Sequence, residues 1–396
     1  MATSGTRPRR ISFVTTGLGV GGAEAMLFRV VTHLDRARFE PAIVSVMDDG
    51  EYGPRFRAEG IPVTSIGFTN RVPTPQRLVR LVRTLQRQRP DAIMGWMYHG
   101  NLAASLGRAW ASPHAGLAWN IRHSVYDLAD EGLVTRNLIR LGALLSGRVD
   151  ATVYVSDVSR RLHLQLGYAP EPAVVIGNGI DPTPLISPKD RAALRRELGF
   201  DASDVVVGRV ARFHPMKDFP GFLEAVTGAI EVNPLIKVLL VGREVGPENP
   251  VLAPLLASPG LAGRVVWLGE RQDVPRLLGA MDILASSSAW GEGFPNIVLE
   301  AAMAGLPCVV TDVGASGEIA GEGGRVVPPR DVGALRAAIV DVSALEPARR
   351  LEMGAVAREH ALANYTLATV VDRYAELFDR LSGPASERRR TLPLPV

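Results

Sequence analysis

Apolar residues along this chain follow two alternating periods. Short runs rich in β-branched residues, at 11–16, 42–47, 62–66 and 92–96, read as strands. Between them the apolar positions recur every three or four residues. Ala25, Leu27, Val30, Val31 and Leu34 form one face of a helix over 23–34, and residues 54–59 read as a short second helix. Leu78, Val79, Leu81, Val82 and Leu85 lie on one side of a third over 75–88. Strand followed by helix, repeated, predicts a parallel sheet with helices on both faces.

The pattern breaks at Asn178-Gly179-Ile180-Asp181-Pro182-Thr183-Pro184, turn chemistry without an apolar period, and then restarts. Strands are expected at 205–210, 238–241, 265–268, 283–285 and 308–311, with helices at 219–232, 274–280 and 297–304. The expected organisation is an α/β domain over 1–180 and a second over 181–365. An amphipathic helix at 366–381 should pack back on the first domain, ahead of a disordered tail at 382–396. Two such domains in series should face each other across a cleft. Ligands of open α/β sheets sit beyond the carboxyl ends of the strands, so residues that follow strands are the candidates for chemistry.

Composition removes several classes. The 396 residues are 46% hydrophobic and 21% charged, within the globular range. No run approaches the ~18 apolar residues of a membrane span. The glycines of ISFVTTGLGVGG interrupt any signal-peptide core. A single cysteine rules out a disulfide scaffold and a Cys-based zinc site, and suits a reducing compartment. Charge is uneven: residues 1–180 hold 21 Arg, no Lys and 14 Asp or Glu, a net +7, so with +3 overall the remainder is −4. A basic front half fits a phosphate-bearing molecule or an anionic membrane surface, or is simply a solvated arginine-rich face. Within it, Arg77, Arg80, Arg83 and Arg87 form one stripe of the helix at 75–88, which either lies in water or rests on lipid.

Four segments carry candidate chemistry. Gly17-Leu18-Gly19-Val20-Gly21-Gly22 joins a strand to a helix, where glycines let backbone N–H groups approach a phosphate. It reads as a dinucleotide turn or as a tight turn without a ligand; Asp48 and Asp49 come late for a ribose-binding acid. His99 follows the strand at 92–96, and Arg122 follows another apolar stretch. Arg212 and Lys217 follow the strand at 205–210, and two cations on one loop make a diphosphate clamp. Finally, Glu292 and Glu300 bracket a loop, Gly293-Phe294-Pro295-Asn296, that enters a helix. Carboxylates accept hydrogen bonds from vicinal sugar hydroxyls, and the Phe294 and Asn296 N–H groups at the helix start suit a phosphate or a hydroxyl.

These segments together resemble the retaining nucleotide-sugar glycosyltransferases of family 4, which have the GT-B fold of two Rossmann-like domains. The carriers are GGAE at 21–24, His99, NGID at 178–181, ARFHPMKD at 211–218, EGFPNIVLE at 292–300, and Gly314 with Glu318 in TDVGASGE. The resemblance implies that Arg212 and Lys217 bind the donor diphosphate and stabilise it as it leaves. It further implies that Glu300 binds the ribose hydroxyls, Glu292 holds sugar hydroxyls at the anomeric centre, and His99 contacts the sugar. Gly21 and Gly22 let acceptor and diphosphate meet, with Phe294, Pro295 and Asn296 on the donor side. No cofactor and no metal is implied, the partners being a nucleotide sugar and a glycan or lipid-linked acceptor, with no nucleic acid. The chain is expected in the cytoplasm, either free or peripheral on the inner face of the membrane. Two departures stand out: Ala211 occupies the usual glycine before the motif arginine, with Gly208-Arg209 just upstream, and Gly242-Arg243-Glu244 lacks the second glycine of a G-x-G turn. A GT-B-like sugar-nucleotide epimerase and, on the glycine turn alone, a dinucleotide oxidoreductase are the rival classes.

Overall fold

The computed structural model describes residues 7–68, 74–386 and 388. Of the expected tail, residue 387 and residues 389–396 lie outside the described residues. The chain divides into two compact units, one of residues up to Gly179 together with those from Leu367 onward, the other Ile180–Thr366.

The first unit runs β1 (Arg9–Thr15), α1 (Gly22–His33), β2 (Phe39–Ser45), α2 (Tyr52–Ala58), β3 (Val63–Ser65), α3 (Pro75–Gln88), β4 (Ala92–Trp96), α4 (Met97–Ala111), β5 (Gly116–Ile121), α5 (Leu133–Leu145), β6 (Ala151–Tyr154), α6 (Asp157–Gln165) and β7 (Ala173–Val175). The second runs α7 (Pro188–Glu197), β8 (Val205–Val210), α8 (Phe219–Val232), β9 (Ile236–Val241), α9 (Ala253–Leu256), β10 (Val265–Trp267), α10 (Val274–Leu278), β11 (Ile283–Ser286), α11 (Asn296–Met303), β12 (Cys308–Thr311), α12 (Ser316–Ala320), β13 (Gly324–Val327), α13 (Val332–Ala344) and α14 (Pro347–Tyr365). The last helix, α15 (Leu367–Leu381), belongs to the first unit.

Both sheets are parallel, with strand orders β3-β2-β1-β4-β5-β6-β7 and β10-β9-β8-β11-β12-β13. Parallel strands buried on both faces need apolar side chains on both, hence runs such as FVT in β1 and VVV in β8. Each order reverses once, between β1 and β4 and between β8 and β11, the crevice where doubly wound sheets take ligands. All four segments with candidate chemistry follow one of those strands: the glycine turn β1, His99 β4, Arg212 and Lys217 β8, Glu292 β11.

In the first unit, α15 supplies Val370, Tyr374, Leu377, Phe378 and Leu381 to a core that includes Phe13, Phe39 and Trp96. Phe378 packs edge-on against Phe13 with ring centroids 5.4 Å apart. On the sheet's other face the core holds Trp119, Tyr154 and Leu85. There His163 is fully buried, its Nδ1 2.7 Å from the Ser159 carbonyl and its Nε2 2.9 Å from the Tyr98 hydroxyl. A carbonyl only accepts, so Nδ1 carries the proton and Nε2 accepts from the tyrosine.

Burial pulls the His163 pKa down to about 4. Between that value and the ordinary histidine range the unfolded chain binds a proton that the native chain refuses. His163 therefore contributes stability in full above the unfolded pKa of ~6.5 and loses it as pH falls toward the folded value. The expected cost by about pH 4 is roughly 3 kcal/mol. Thermal unfolding across that window should fall more steeply for the native protein than for His163→Gln; parallel curves would show that His163 is not the titrating group.

Candidate active site

The loop between β8 and α8 is fixed from both ends. His214 Nδ1 accepts from the Met216 N–H at 3.2 Å and opens a single 3-10 turn, Pro215–Lys217. Asp218 closes that turn in the left-handed conformation, φ 45°, while its carboxylate accepts from the Gly221 N–H at 3.1 Å and caps α8. Between these caps the Lys217 carbonyl accepts two hydrogen bonds, from Arg209 Nη2 at 2.6 Å and from Ser287 Oγ at 3.0 Å. The lysine backbone is thus anchored to strand β8 and to the end of β11.

The side chain of Lys217 is then free to do one thing. Its Nζ pairs with Glu292 Oε1, and Ser288 Oγ donates to the same oxygen at 2.7 Å. Lysine and glutamate side chains keep only 18% and 10% of their accessible surface, so this pair is not an ordinary solvated one. The Glu292 loop is supported from beneath. Thr311 Oγ1 donates to the Ser288 carbonyl at 2.6 Å and the Ala315 N–H to the Gly293 carbonyl at 3.1 Å. Gly314, at φ 60°, presses so close that a Cβ there would lie 2.4 Å from the Glu292 carbonyl oxygen. Only glycine fits both the angle and the contact.

Arg212 stands on the same loop as Lys217, exposed and without an ion pair among the described residues. Glu300 is half-buried on α11, one turn inside the helix that Asn296 begins. Pro295 precedes that helix, and Phe294 packs its ring edge-on against Tyr365, centroids 5.4 Å apart. The loops that carry the two motif departures touch. A Cβ on Gly242 would fall 1.8 Å from the Ala211 carbonyl oxygen, so the turn after β9 rests on the loop after β8. Glu244 itself adopts φ 60°, holding the left-handed position with a side chain rather than a glycine.

In the first unit, His99 lies half-buried in the first turn of α4. No loop separates β4 from α4; Met97 turns the chain at φ 64°, a conformation that costs energy for a residue with a long side chain. Gly100 seats the helix on β1, where a Cβ would be 2.3 Å from the Val14 carbonyl oxygen. Gly21 caps α1 and Gly22 begins it, with nothing within 4 Å of a Cβ built on Gly22. That leaves open space at a helix N-terminus. Asp49, the late candidate for a ribose acid, is engaged by Arg57 and Ser65, which hold its carboxyl below the usual range. Arg122 faces inward: it donates to the Tyr374 hydroxyl at 3.0 Å and to Asn120 and Asn178, with its guanidinium 5.3 Å from the Trp96 ring centre. It ties β5, α15 and the end of the first unit's chain together.

Sequence reasoning passed over Arg209, which sits in β8 and is 1% exposed. Burial pulls its pKa down to about 10, with Glu292 and Asp218 opposing, so it stays cationic at neutral pH. Its plane lies 5.2 Å from the Phe219 ring centre. A charged residue within the otherwise apolar run VVVGRV was the available signal. Arg209→Met, which keeps volume and removes the N–H groups, should cost about 1–3 kcal/mol of stability. Turnover should fall with it, because the Lys217 carbonyl keeps Ser287 alone. Unfolding and rate measurements on the variant check this; unchanged values in both would mean that Ser287 suffices.

Residues 20–184 match the model described as Glycosyltransferase Family 4, and residues 204–344 match the one described as Glycosyl transferases group 1. A lipopolysaccharide core biosynthesis mannosyltransferase of Rhizobium meliloti is 25% identical over 299 residues, covering 70% of this chain and 81% of that protein. A D-inositol 3-phosphate glycosyltransferase of Rhodococcus jostii is 31% identical over 264 residues, 59% of this chain and 57% of that one. Among solved structures, Anabaena HepE in complex with UDP-glucose is 25% identical, with a TM-score of 0.73 over 93% of this chain and 99% of its own. The same protein in complex with UDP superimposes at a TM-score of 0.80 with 24% identity.

Proposed function

Since the chain belongs to the glycosyltransferases of group 1 and family 4, we propose that it transfers the sugar of a nucleotide donor with retention at the anomeric carbon and without a metal ion. The observation that carries this reading is the pair of half-buried Lys217 and buried Glu292 at the reversal point of the second sheet. Breaking the bond between sugar and phosphate puts negative charge on the departing diphosphate while the sugar becomes oxocarbenium-like. Lys217 and the exposed Arg212 supply positive charge on one loop, and a fixed cation helps more as that charge develops than before.

Glu292 is held by Lys217 and Ser288, which suits binding of sugar hydroxyls rather than attack on carbon. With no other carboxylate assigned to the anomeric centre, the acceptor attacks from the side the diphosphate leaves, and a donor phosphate oxygen takes its proton. Glu300 holds the ribose hydroxyls, with Phe294, Pro295 and Asn296 beside the donor. His99, Gly21 and Gly22 belong to the first unit and are assigned to the sugar and the acceptor. Among the described residues no group of three or more His, Cys, Asp or Glu side chains is placed to hold a metal. The HepE complexes and the relatives' names support a nucleotide sugar as donor and a glycan or lipid-linked molecule as acceptor.

No helix among the described residues is long and apolar enough to cross a membrane. We place the reaction in the cytoplasm, which suits the single thiol, Cys308, buried with its pKa pushed up to about 12. The test is a panel of nucleotide sugars, followed for nucleotide release with and without glycan acceptors, with the configuration of the product read by NMR. Acceptor-dependent release with the donor's anomeric configuration kept is the expected result. Sugar interconversion without release would instead assign an epimerase, and an inverted product would overturn the mechanism.

A further inference from the structure

Helices α3, α4 and α5 pack side by side on the first unit. Together they carry seven arginines, four on α3, one on α4 and two on α5, and no lysine, aspartate or glutamate. An ordinary solvated helix mixes signs, as α15 does with Asp372, Arg373, Glu376, Asp379 and Arg380. Of the carboxylates that border this layer, Asp91 is engaged by Arg7, Asp150 by the Leu117 N–H and Arg108, and Glu131 lies 3.5 Å from His123, which leaves Asp130 as an exposed acid ahead of α5.

The same layer exposes large apolar side chains. Leu144 is 80% exposed, Leu133 74% and Trp110 72%, with Val79 and Leu141 nearly half exposed. On α5, Leu133, Asn137, Arg140, Leu141 and Leu144 follow the three-to-four-residue spacing of one helix face, so its outward stripe is mostly leucine. Two surface depressions run together here. One is lined by Arg10, Arg83, Gln86, Arg87 and Arg89, the other by Leu78, Val79, Val82, Leu106 and Trp110, and both include Arg83 and Gln86. A basic hollow therefore continues into an apolar groove.

We propose that this three-helix surface seats the protein on an anionic phospholipid bilayer. The arginine hollow takes lipid phosphates, and Trp110 with the α3 groove and the α5 leucines enters the boundary between headgroups and acyl chains. Tryptophan, arginine and leucine on amphipathic helices are the side chains that suit such a boundary. A second copy of the chain is a poor occupant, because a two-fold interface would set arginines against arginines. The surface differs from the four-arginine stripe expected on α3 alone. Arg77 is half-buried, and the exposed arginines act with apolar neighbours on two further helices.

The experiment is flotation of the full chain with vesicles of phosphatidylcholine and of phosphatidylcholine mixed with phosphatidylglycerol, at low and high salt. Binding is expected only with the mixed vesicles and should weaken as salt rises. Each of Arg83→Gln, Arg87→Gln and Arg140→Gln should reduce it about fivefold. Trp110→Ser and Leu144→Ser should lower binding while leaving the salt slope unchanged, because apolar contact is not screened. Thermal unfolding followed by circular dichroism should be unaltered in all five variants, which shows that the first unit is folded in each. Equal binding to both vesicle types, or none to either, overturns the proposal. So does a dimer in light scattering that Trp110→Ser dissolves, which would assign the face to a second copy.

Discussion

Lys217→Ala is expected to lower turnover by roughly 10²–10³, the scale of losing one preorganised charge partner of the transition state. The structure makes the variant a clean probe. The Lys217 main chain is held by Arg209 and Ser287, so truncating the side chain leaves the loop in place. Glu292 keeps its bond from Ser288. What disappears is the positive charge assigned to the donor phosphates, so kcat is expected to fall further than KM rises. Arg212→Ala is expected to act on the same scale, since Arg212 lies on the same loop and its head is exposed. Lys217→Arg should recover little, because a planar fork does not replace a compact ammonium paired to a single oxygen. Steady-state kinetics with saturating donor decide it; near-native turnover in both alanine variants would remove the diphosphate clamp from the mechanism.

The two glutamates should separate in a different way. Glu300→Ala is expected mainly to weaken nucleotide binding, because ribose contacts are the same in ground and transition states. Glu292→Ala should lower kcat more than it raises KM. Calorimetry with the free nucleoside diphosphate discriminates, since that ligand has no sugar for Glu292 to hold. Affinity should fall for Glu300→Ala and stay nearly intact for Glu292→Ala, and the reverse pattern would exchange their roles.

Much of this was readable before any coordinates, for a physical reason. Parallel strands buried on both faces must be written in Val, Ile and Leu, so the alternation of strand and helix stands out in both halves. The places of the candidate segments were readable because they follow strand ends that the apolar runs locate. Contacts between distant positions were not. Arg122 reads as a residue at a strand's edge, yet its partner Tyr374 lies 252 positions away, and nothing local announces that pairing. Arg209 looked like a misplaced copy of the motif arginine; its task is set by a carbonyl eight residues on and a serine from another strand. The direct passage from β4 into α4 was likewise hidden, since Met97 is not a residue that advertises a left-handed turn.

The position of α15 in the first unit bears on how the protein is made. One face of the β1–β7 sheet is closed by residues 370–381, so that face cannot be covered until residue 381 has left the ribosome, after the whole of the second unit. The second unit, continuous from Ile180 to Thr366, has no such wait. During that interval the growing chain carries Phe13, Phe39 and Trp96 without their cover from Phe378 and Tyr374. Unfinished apolar surface of this kind is where nascent chains aggregate or engage chaperones. The first unit therefore completes its core only after the second has been synthesised, and termination after residue 366 is expected to leave the first unit, rather than the second, without its native core.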